Sequence, residues 1–111
     1  MLSKELVAAS TVPLVLSILS RGESYGYELI QRTHELSDGK VQWSEGMLYP
    51  VLHWMEDEAL IESEWRADSG RRRKYYRIRD EGQKALVAEK SQWTTVNLML
   101  TKLWKPSPRL N

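Results

Sequence analysis

The chain has 111 residues, of which 41% are hydrophobic, so it can form one domain with a modest core. Sixteen basic and fifteen acidic side chains give a net charge of +1, and the total therefore indicates no particular partner. The lack of cysteine excludes disulfides and thiolate metal sites. The most apolar stretch, "VPLVLSIL", is far shorter than the roughly 20 residues of a membrane span, and no secretion signal is visible. These features favour a soluble cytoplasmic protein with no cofactor and no membrane contact.

Two helices are predicted in the N-terminal third of the chain. Ser3 can cap the first helix, along which apolar residues recur at helical spacing. After the turn "SRGES", a second helix is predicted over about residues 25–36, with Ser24 as its cap. Gly26 near the start of this helix lets another backbone come close. Gly39, in "SDGK", favours a C-terminal stop.

A third helix is predicted from Ser44 or Gly46. It carries one continuous apolar stripe, because its members are spaced at i, i+3, i+4, i+7 and i+11. The stripe consists of Leu48, Val51, Leu52, Met55 and Ala59.

After the third helix, apolar residues recur at every second position, which is the spacing of a β-strand. The runs "IESEWR" and "KYYRIR" both alternate, and the Gly-containing loop "ADSGRRR" joins them. We therefore expect a two-stranded β-hairpin with Arg71, Arg72 and Arg73 at the tip of its loop.

A long final helix is predicted from Asp80 to about Trp104. Asp80 and Gln83 have the spacing of a capping box, and "KPSPRLN" ends the helix with two prolines. Apolar residues seven apart indicate a dimerisation seam, which is best developed in the second half of the helix. The candidate dimer-interface residues are Leu6, Leu86, Trp93, Val96, Leu100, Leu103 and Trp104.

These elements predict a mainly α (α+β) fold: a winged helix-turn-helix with a two-stranded β-hairpin wing and a long C-terminal dimerisation helix. The expected organisation is a DNA-binding domain at residues 1–79, a dimerisation helix at 80–105 and a flexible tail at 106–111.

The near-neutral total charge conceals two oppositely charged blocks. Residues 53–64 contain five acids and no Lys or Arg, whereas residues 66–79 contain seven bases and one acid, a net charge of +6. Part of this charge can cancel across the hairpin if Glu62 and Glu64 pair with Arg77 and Arg79. Such pairing leaves the three consecutive arginines uncompensated, and the dense phosphate charge of duplex DNA is a suitable partner for them.

The start of the third helix is the second candidate DNA contact. Backbone N–H groups at a helix start attract phosphate, and in a helix-turn-helix the first residues of the second helix reach the base edges. A structural Tyr-Pro elbow against the core is the alternative, and the two interpretations are compatible. The candidate DNA contacts are Ser24, Tyr25, Ser44, Glu45, Gly46, Met47, Tyr49, Pro50, His53, Arg71, Arg72, Arg73 and Lys74.

Three segments together resemble the PadR family of bacterial transcriptional regulators: "YGYELI", "GMLYPVLHWMEDEALIE" and "GRRRKYYRIRDEG". The resemblance extends from the first helix to about residue 103, and the single C-terminal helix is similar to the compact subgroup that includes multidrug-responsive repressors. It implies a homodimeric winged-helix repressor that binds a pseudo-palindromic operator. Ala59, where the family commonly has glycine, departs from the pattern.

The resemblance also implies a role for Trp93. In the compact subgroup a tryptophan at this place lines a hydrophobic cavity between two subunits and stacks on flat aromatic ligands. Trp93, Val96 and Met99 are therefore candidate effector-binding residues, with ordinary dimer packing as the alternative.

Two other classes of function compete with a DNA-binding regulator. An enzyme needs a convergent set of reactive groups, whereas His34 and His53 have no evident partner and no thiol is present, so no catalytic or metal-binding residue is predicted. A winged helix used only for protein contacts remains the alternative; it predicts that Arg72→Glu leaves DNA affinity unchanged.

Overall fold

The computed structural model describes residues 2–106, apart from the side chain of Asp68. The predicted tail at residues 106–111 lies almost entirely outside the described residues. The elements follow in the order α1 (Lys4–Leu19), β1 (Ser24–Tyr25), α2 (Gly26–Leu36), α3 (Glu45–Asp57), β2 (Ile61–Asp68), β3 (Arg71–Ile78) and α4 (Asp80–Trp104). Among the described helices, none has the length and apolarity needed to cross a membrane.

The sheet has three antiparallel strands in the order β1-β3-β2, not the two that were predicted. Ser24 pairs with Tyr76 and Tyr25 with Tyr75, so Ser24 belongs to a strand. The prediction that Ser24 caps α2 is wrong, because Tyr25 occupies the cap position without a side-chain hydrogen bond. A two-residue strand is too short to show an alternating pattern, and only its pairing with β3 defines it.

The turn of the wing is tighter than predicted. Strands β2 and β3 stay paired as far as Asp68 and Arg71, which leaves Ser69 and Gly70 to form the turn. Both turn residues have positive φ, 54° and 76°, as a two-residue hairpin turn that follows the sheet twist requires. Arg71, Arg72 and Arg73 are therefore the first residues of β3, and their placement in a loop was wrong.

The core lies between the first three helices and the sheet. Leu48, Leu52 and Met55 of the predicted stripe are fully buried, together with Leu16 and Leu29 from α1 and α2. Ala59 is not part of the stripe, because α3 ends at Asp57 and Ala59 has a φ of 59°. This left-handed conformation favours glycine and explains physically why glycine suits the position.

The two halves of α4 have different surroundings. Leu86, in the first half, is only 3% exposed and packs in the core of its own protomer, so its assignment to a dimer interface is wrong. Residues 91–104 are all exposed. The radius of gyration is 17.0 Å, compared with about 13 Å for a compact chain of this length, as expected for a helix that extends beyond the body.

The start of α4 also differs from the prediction. Arg79 is the cap residue, the helix begins at Asp80, and no side-chain hydrogen bond caps it. Because the cap is Arg79 and not Asp80, the predicted capping box of Asp80 and Gln83 is not formed.

Candidate nucleic-acid interface

The exposed edge of α3 begins at its cap. The Ser44 hydroxyl accepts a hydrogen bond from the Met47 N–H at 3.1 Å, which fixes the first turn. Glu45, Gly46 and Pro50 are exposed, and a Cβ added at Gly46 would meet open space. His53 is also exposed and lies 3.7 Å from Asp57 on the same helix. The predicted leading edge of the helix is thus accessible to a large ligand.

Tyr49 connects this edge to α2. Its hydroxyl lies directly against Gly26, where a Cβ would overlap the ring. The group that approaches Gly26 is therefore a side chain and not the backbone that was predicted. Burial, and secondarily the charge of Glu45, raise the pKa of Tyr49. The phenol therefore keeps its proton and can donate to a phosphate oxygen. Tyr49 is still 40% exposed, so its packing against α2 leaves part of the side chain accessible and the contact interpretation stays a prediction.

The cationic end of the wing consists of Arg71, Arg72 and Arg73, referred to below as the wing tip. Among the side chains that the structure describes, none of these arginines forms an ion pair. The Arg72 guanidinium stacks 5.0 Å from the centre of a Trp65 ring, and that of Arg73 lies 4.5 Å from the Tyr25 ring. Aromatic faces hold these cations without neutralising them, so they can still bind an anion.

Lys74 is different from the wing tip. Its ammonium lies 3.5 Å from a carboxylate oxygen of Glu56 and 5.7 Å from the ring centre of Tyr76. Because Glu56 partly compensates its charge, Lys74 is a weaker candidate DNA contact than the three arginines. Burial raises the pKa of the neighbouring Tyr76 to about 12, with smaller contributions from Glu56 and Tyr49.

The wing tip and the start of α3 border one groove, referred to below as the wing groove. It has a volume of about 620 Å³, and its walls include the wing tip, Tyr25, Glu45 and Tyr49. The two candidate DNA-contact segments, which are far apart in the sequence, therefore lie side by side in the fold. Ser24 is an exception, since it is 2% exposed and its hydroxyl donates to Glu28 at 2.5 Å. Trp65 and Tyr27 also line the groove, although no sequence pattern marked them as candidates.

An ion-pair network joins the wing to the residue before β1 and is referred to below as the wing base: Glu23, Glu62, Glu64, Arg66 and Arg77. Arg66 pairs with Arg73 in the strand register, so the network begins beside the wing tip. The predicted pairing of the strand carboxylates with Arg77 is confirmed, at 3.3 Å for Glu62 and 3.0 Å for Glu64. Arg79 does not take part, because it lies 3.7 Å from Glu81.

Arg66 is the centre of the wing base. It donates to both carboxylate oxygens of Glu23, at 2.5 and 2.6 Å, and to Glu64. Hydrogen bonds from Arg66 hold the pKa of Glu23 and of Glu64 below the ordinary carboxyl value, and Arg77 adds to the effect on Glu64. Glu23 was missed by the sequence analysis because it lies 43 positions from Arg66.

The remaining candidate dimer residues form an apolar surface on the protomer. Trp93 and Leu100 are each 37% exposed, and Leu103 is 77% exposed. Leu6 on α1 and the other α4 candidates are also exposed: Val96 and Trp104. An apolar surface of this extent is unusual on an isolated soluble protein.

A small cavity between α1 and α4 contains one of the candidate effector residues. Its volume is about 290 Å³, and Pro13, Leu14, Leu86 and Trp93 contribute to its wall. The Trp93 indole N–H donates to Glu89 at 3.1 Å. The other candidates, Val96 and Met99, do not line this cavity within the protomer.

The fold and the cationic groove define the chain as a winged-helix regulator of the DNA-binding class. A family model, the transcriptional regulator PadR-like family, matches residues 15–88, which is more than half of the chain. The chain belongs to this family, whose members are transcriptional regulators and not enzymes.

Solved structures agree with this assignment over nearly the whole chain. A transcriptional regulator from Clostridium thermocellum superposes with a TM-score of 0.85 at 28% identity, covering 95% of this chain and 100% of that one. A PadR-like transcriptional regulator from Bacillus cereus gives a TM-score of 0.82 at 34% identity, covering 94% of this chain and 100% of that one.

Two curated relatives with higher identity match over shorter segments. The transcriptional regulator YqjI of Escherichia coli is 42% identical over 48 residues, which are 43% of this chain and only 23% of that protein. The transcriptional regulator Rv3488 of Mycobacterium tuberculosis is 41% identical over 58 residues, which are 52% of this chain and 54% of that protein. The chain thus matches about a quarter and about half of these relatives' lengths.

Proposed function

We propose that the protein is a homodimeric repressor that binds a pseudo-palindromic operator in the bacterial cytoplasm. One observation carries the proposal: three arginines without a carboxylate partner among the described side chains border the same groove as the exposed start of α3. Residues 1–79 would form the DNA-binding unit and residues 80–105 the dimerisation helix.

The proposed contacts divide between the two sides of the wing groove. The start of α3 enters the major groove and reads base edges, whereas the wing tip binds flanking phosphates or the adjacent minor groove. The arginines therefore supply affinity more than sequence preference. In a dimer, two copies of α3 would enter successive major grooves about 34 Å apart.

The exposed second half of α4 supports dimerisation through this helix. The side chains that would lose contact with water when two copies pair are Val96, Leu100 and Leu103. Burial of their apolar surface would stabilise the dimer by about 25 cal/mol per Å². Leu6 lies on α1, to which α4 is adjacent, and would extend the same interface.

An apolar effector would bind beside Trp93 and change the angle between the subunits. The protomer cavity of about 290 Å³ is at the lower limit for a drug-sized ligand, and walls from a second copy, including Val96 and Met99, would enlarge it. Such a ligand relieves repression only if it binds the DNA-free geometry more tightly.

Selection of bound fragments from the host genome at two salt concentrations tests the DNA-binding part of the proposal. We expect inverted repeats whose affinity falls steeply with salt, because each phosphate contact releases counterions. Salt-insensitive capture of unrelated sequences, or no capture by the folded protein, would contradict a sequence-specific regulator and favour a module for protein contacts.

Sedimentation velocity tests the dimer. We expect Leu100→Asp to sediment as a monomer, because it introduces a charge into the proposed interface. Val87→Asp is a matched control on the first half of α4, where Val87 is already 68% exposed. A wild-type monomer, or a Leu100→Asp dimer as stable as the control, would contradict the proposal.

The 8-anilinonaphthalene-1-sulfonate probe tests the effector site in the absence of DNA. We expect its fluorescence to increase on binding beside Trp93, and Trp93→Ala to remove most of the increase. An equal increase with both proteins would show that the probe binds elsewhere and would contradict the effector role.

A further inference from the structure

A second groove adjoins the start of α3 and shares no wall residue with the wing groove. It has a volume of about 480 Å³ and lies between the N-terminal turns of α1 and the segment that leads into α3. Two cations, Lys4 and Lys40, form part of its wall, so it is referred to below as the lysine groove. Its remaining wall residues are Leu2, Val7, Ala8, Gln42, Ser44 and Met47.

The two grooves lie on different sides of α3. Successive residues of a helix are rotated by about 100°. Glu45 and Tyr49 of the wing groove therefore share one side of α3, and Ser44 and Met47 of the lysine groove share another. The exposed ridge that begins at Gly46 lies between the two grooves and continues through Pro50 and His53.

The lysine groove has the chemistry of a phosphodiester site. Neither Lys4 nor Lys40 forms an ion pair with any described side chain, and no acid contributes to the wall. The polar side chains of Gln42 and Ser44 are exposed, and apolar atoms of Val7 and Met47 form part of the wall. Ammonium groups beside an apolar surface suit a backbone that alternates phosphate with deoxyribose.

We infer that Lys4 and Lys40 bind the second phosphate backbone of the same DNA duplex, on the side of α3 away from the wing. The inference rests on the proposed function. A major groove is about 12 Å wide and has a phosphate backbone on each side. A helix that enters the major groove therefore has negatively charged phosphates on both of its sides. The wing tip binds one backbone, and the two lysines bind the other.

Neutralisation of both lysines tests this site. Affinity for a fluorescein-labelled, random-sequence duplex of 30 base pairs is measured by anisotropy over a range of salt concentrations. For Lys4→Gln/Lys40→Gln, we expect the slope of log affinity against log salt to become shallower by about 2 for each protomer on the duplex. Because both side chains are exposed, the unfolding midpoint should not change.

The matched control is Lys84→Gln/Lys102→Gln, which removes the same charge from α4, where neither lysine lines either groove. We expect the control to retain the wild-type slope. A 30-nucleotide single strand has no second backbone at a fixed distance, so the Lys4/Lys40 substitution should change that affinity less than twofold.

Three outcomes would overturn the inference. If wild-type binds the duplex with a steep salt slope and both double variants behave alike, the lysine site is wrong while the proposed function stands. An equal loss on the single strand would indicate a general polyanion effect rather than a duplex site. Failure of the folded wild-type protein to bind duplex DNA would refute the proposed function and this inference together.

Discussion

The wing carries two groups of arginines, which meet where Arg66 pairs with Arg73, but the surroundings of the two groups differ. At the wing base, Arg66 and Arg77 lie among three carboxylates, with oxygen atoms at 2.5 to 3.7 Å. At the wing tip, no described carboxylate comes within ion-pair distance of the arginines, and two of them stack on aromatic rings. A paired guanidinium stabilises the protein's own fold, whereas an unpaired one is available to an external anion. The same residue type therefore has a structural role in the wing base and a proposed binding role at the wing tip.

The largest expected effect comes from neutralising the wing tip. For Arg71→Gln/Arg72→Gln/Arg73→Gln, we expect the salt slope of DNA affinity to fall by about 0.9 for each phosphate contact removed, and affinity at low salt to fall at least about tenfold. Fluorescence anisotropy with the selected operator measures both quantities.

Arg66→Gln/Arg77→Gln is the matched variant at the wing base. It should lower the midpoint of urea unfolding, because it leaves Glu23, Glu62 and Glu64 close together without a counter-charge, and it should retain most of the salt slope. If both variants reduced the slope equally, the distinction between tip and base would have no functional meaning.

A smaller effect is expected where the wing base adjoins the wing tip. Tyr25 stacks under Arg73 and makes an edge contact with Tyr75 at 5.4 Å between ring centres, and Arg66 lies over Tyr75 at 4.6 Å. Tyr25→Leu removes a cation–π contact of about 0.5–1 kcal/mol, so we expect DNA affinity to fall about two- to fivefold. The salt slope should be unchanged, since no charge is lost; a shallower slope would show that Tyr25 also affects the phosphate contacts.

The wing base should make stability depend on pH. The pKa of Glu23 and of Glu64 is lowered in the folded protein, mainly by Arg66, from an ordinary value of 4.5. Their stabilising contribution is therefore complete above pH 4.5 and is lost as the pH falls through the lowered folded value. We expect the urea midpoint to fall over this acidic range and to fall less in Glu23→Gln. An identical pH dependence in the two proteins would exclude Glu23 from the effect.

The smallest effect is expected where α3 leads into the wing. Ala59 has a φ of 59°, a conformation that costs most residues about 1–2 kcal/mol and glycine little. Because glycine also loses more freedom on folding, we expect Ala59→Gly to raise the free energy of unfolding by about 0.5–1 kcal/mol. Chemical denaturation measures this change, and DNA affinity should stay constant because no charge is altered. A less stable variant would show that another contact of the Ala59 methyl outweighs the backbone strain.

Much of the fold could be predicted from local patterns. The stripe on α3 predicted which side would be buried, and Gly26 predicted a close approach, although the Tyr49 side chain and not a backbone makes it. The extent of α4 was also predicted, because its apolar residues recur at helical spacing as far as Trp104. The sequence-based predictions were wrong where a segment was too short to show a pattern, or where one pattern fits both a buried and an exposed position. Strand β1 has only two residues, and the buried Leu86 fits the same heptad as the exposed Leu100.

The sequence by itself determined the helices, the alternating strands and a cluster of bases beside a cluster of acids, because periodicity and charge are properties of neighbouring residues. Tertiary structure alone decided which of those bases are neutralised. Glu23 reaches Arg66 across 43 positions, and no pattern along the chain records such a pairing. Ion pairing depends on distances of a few ångströms in space, and only the folded sheet brings these carboxylates to the wing base while leaving the wing tip without a described carboxylate partner.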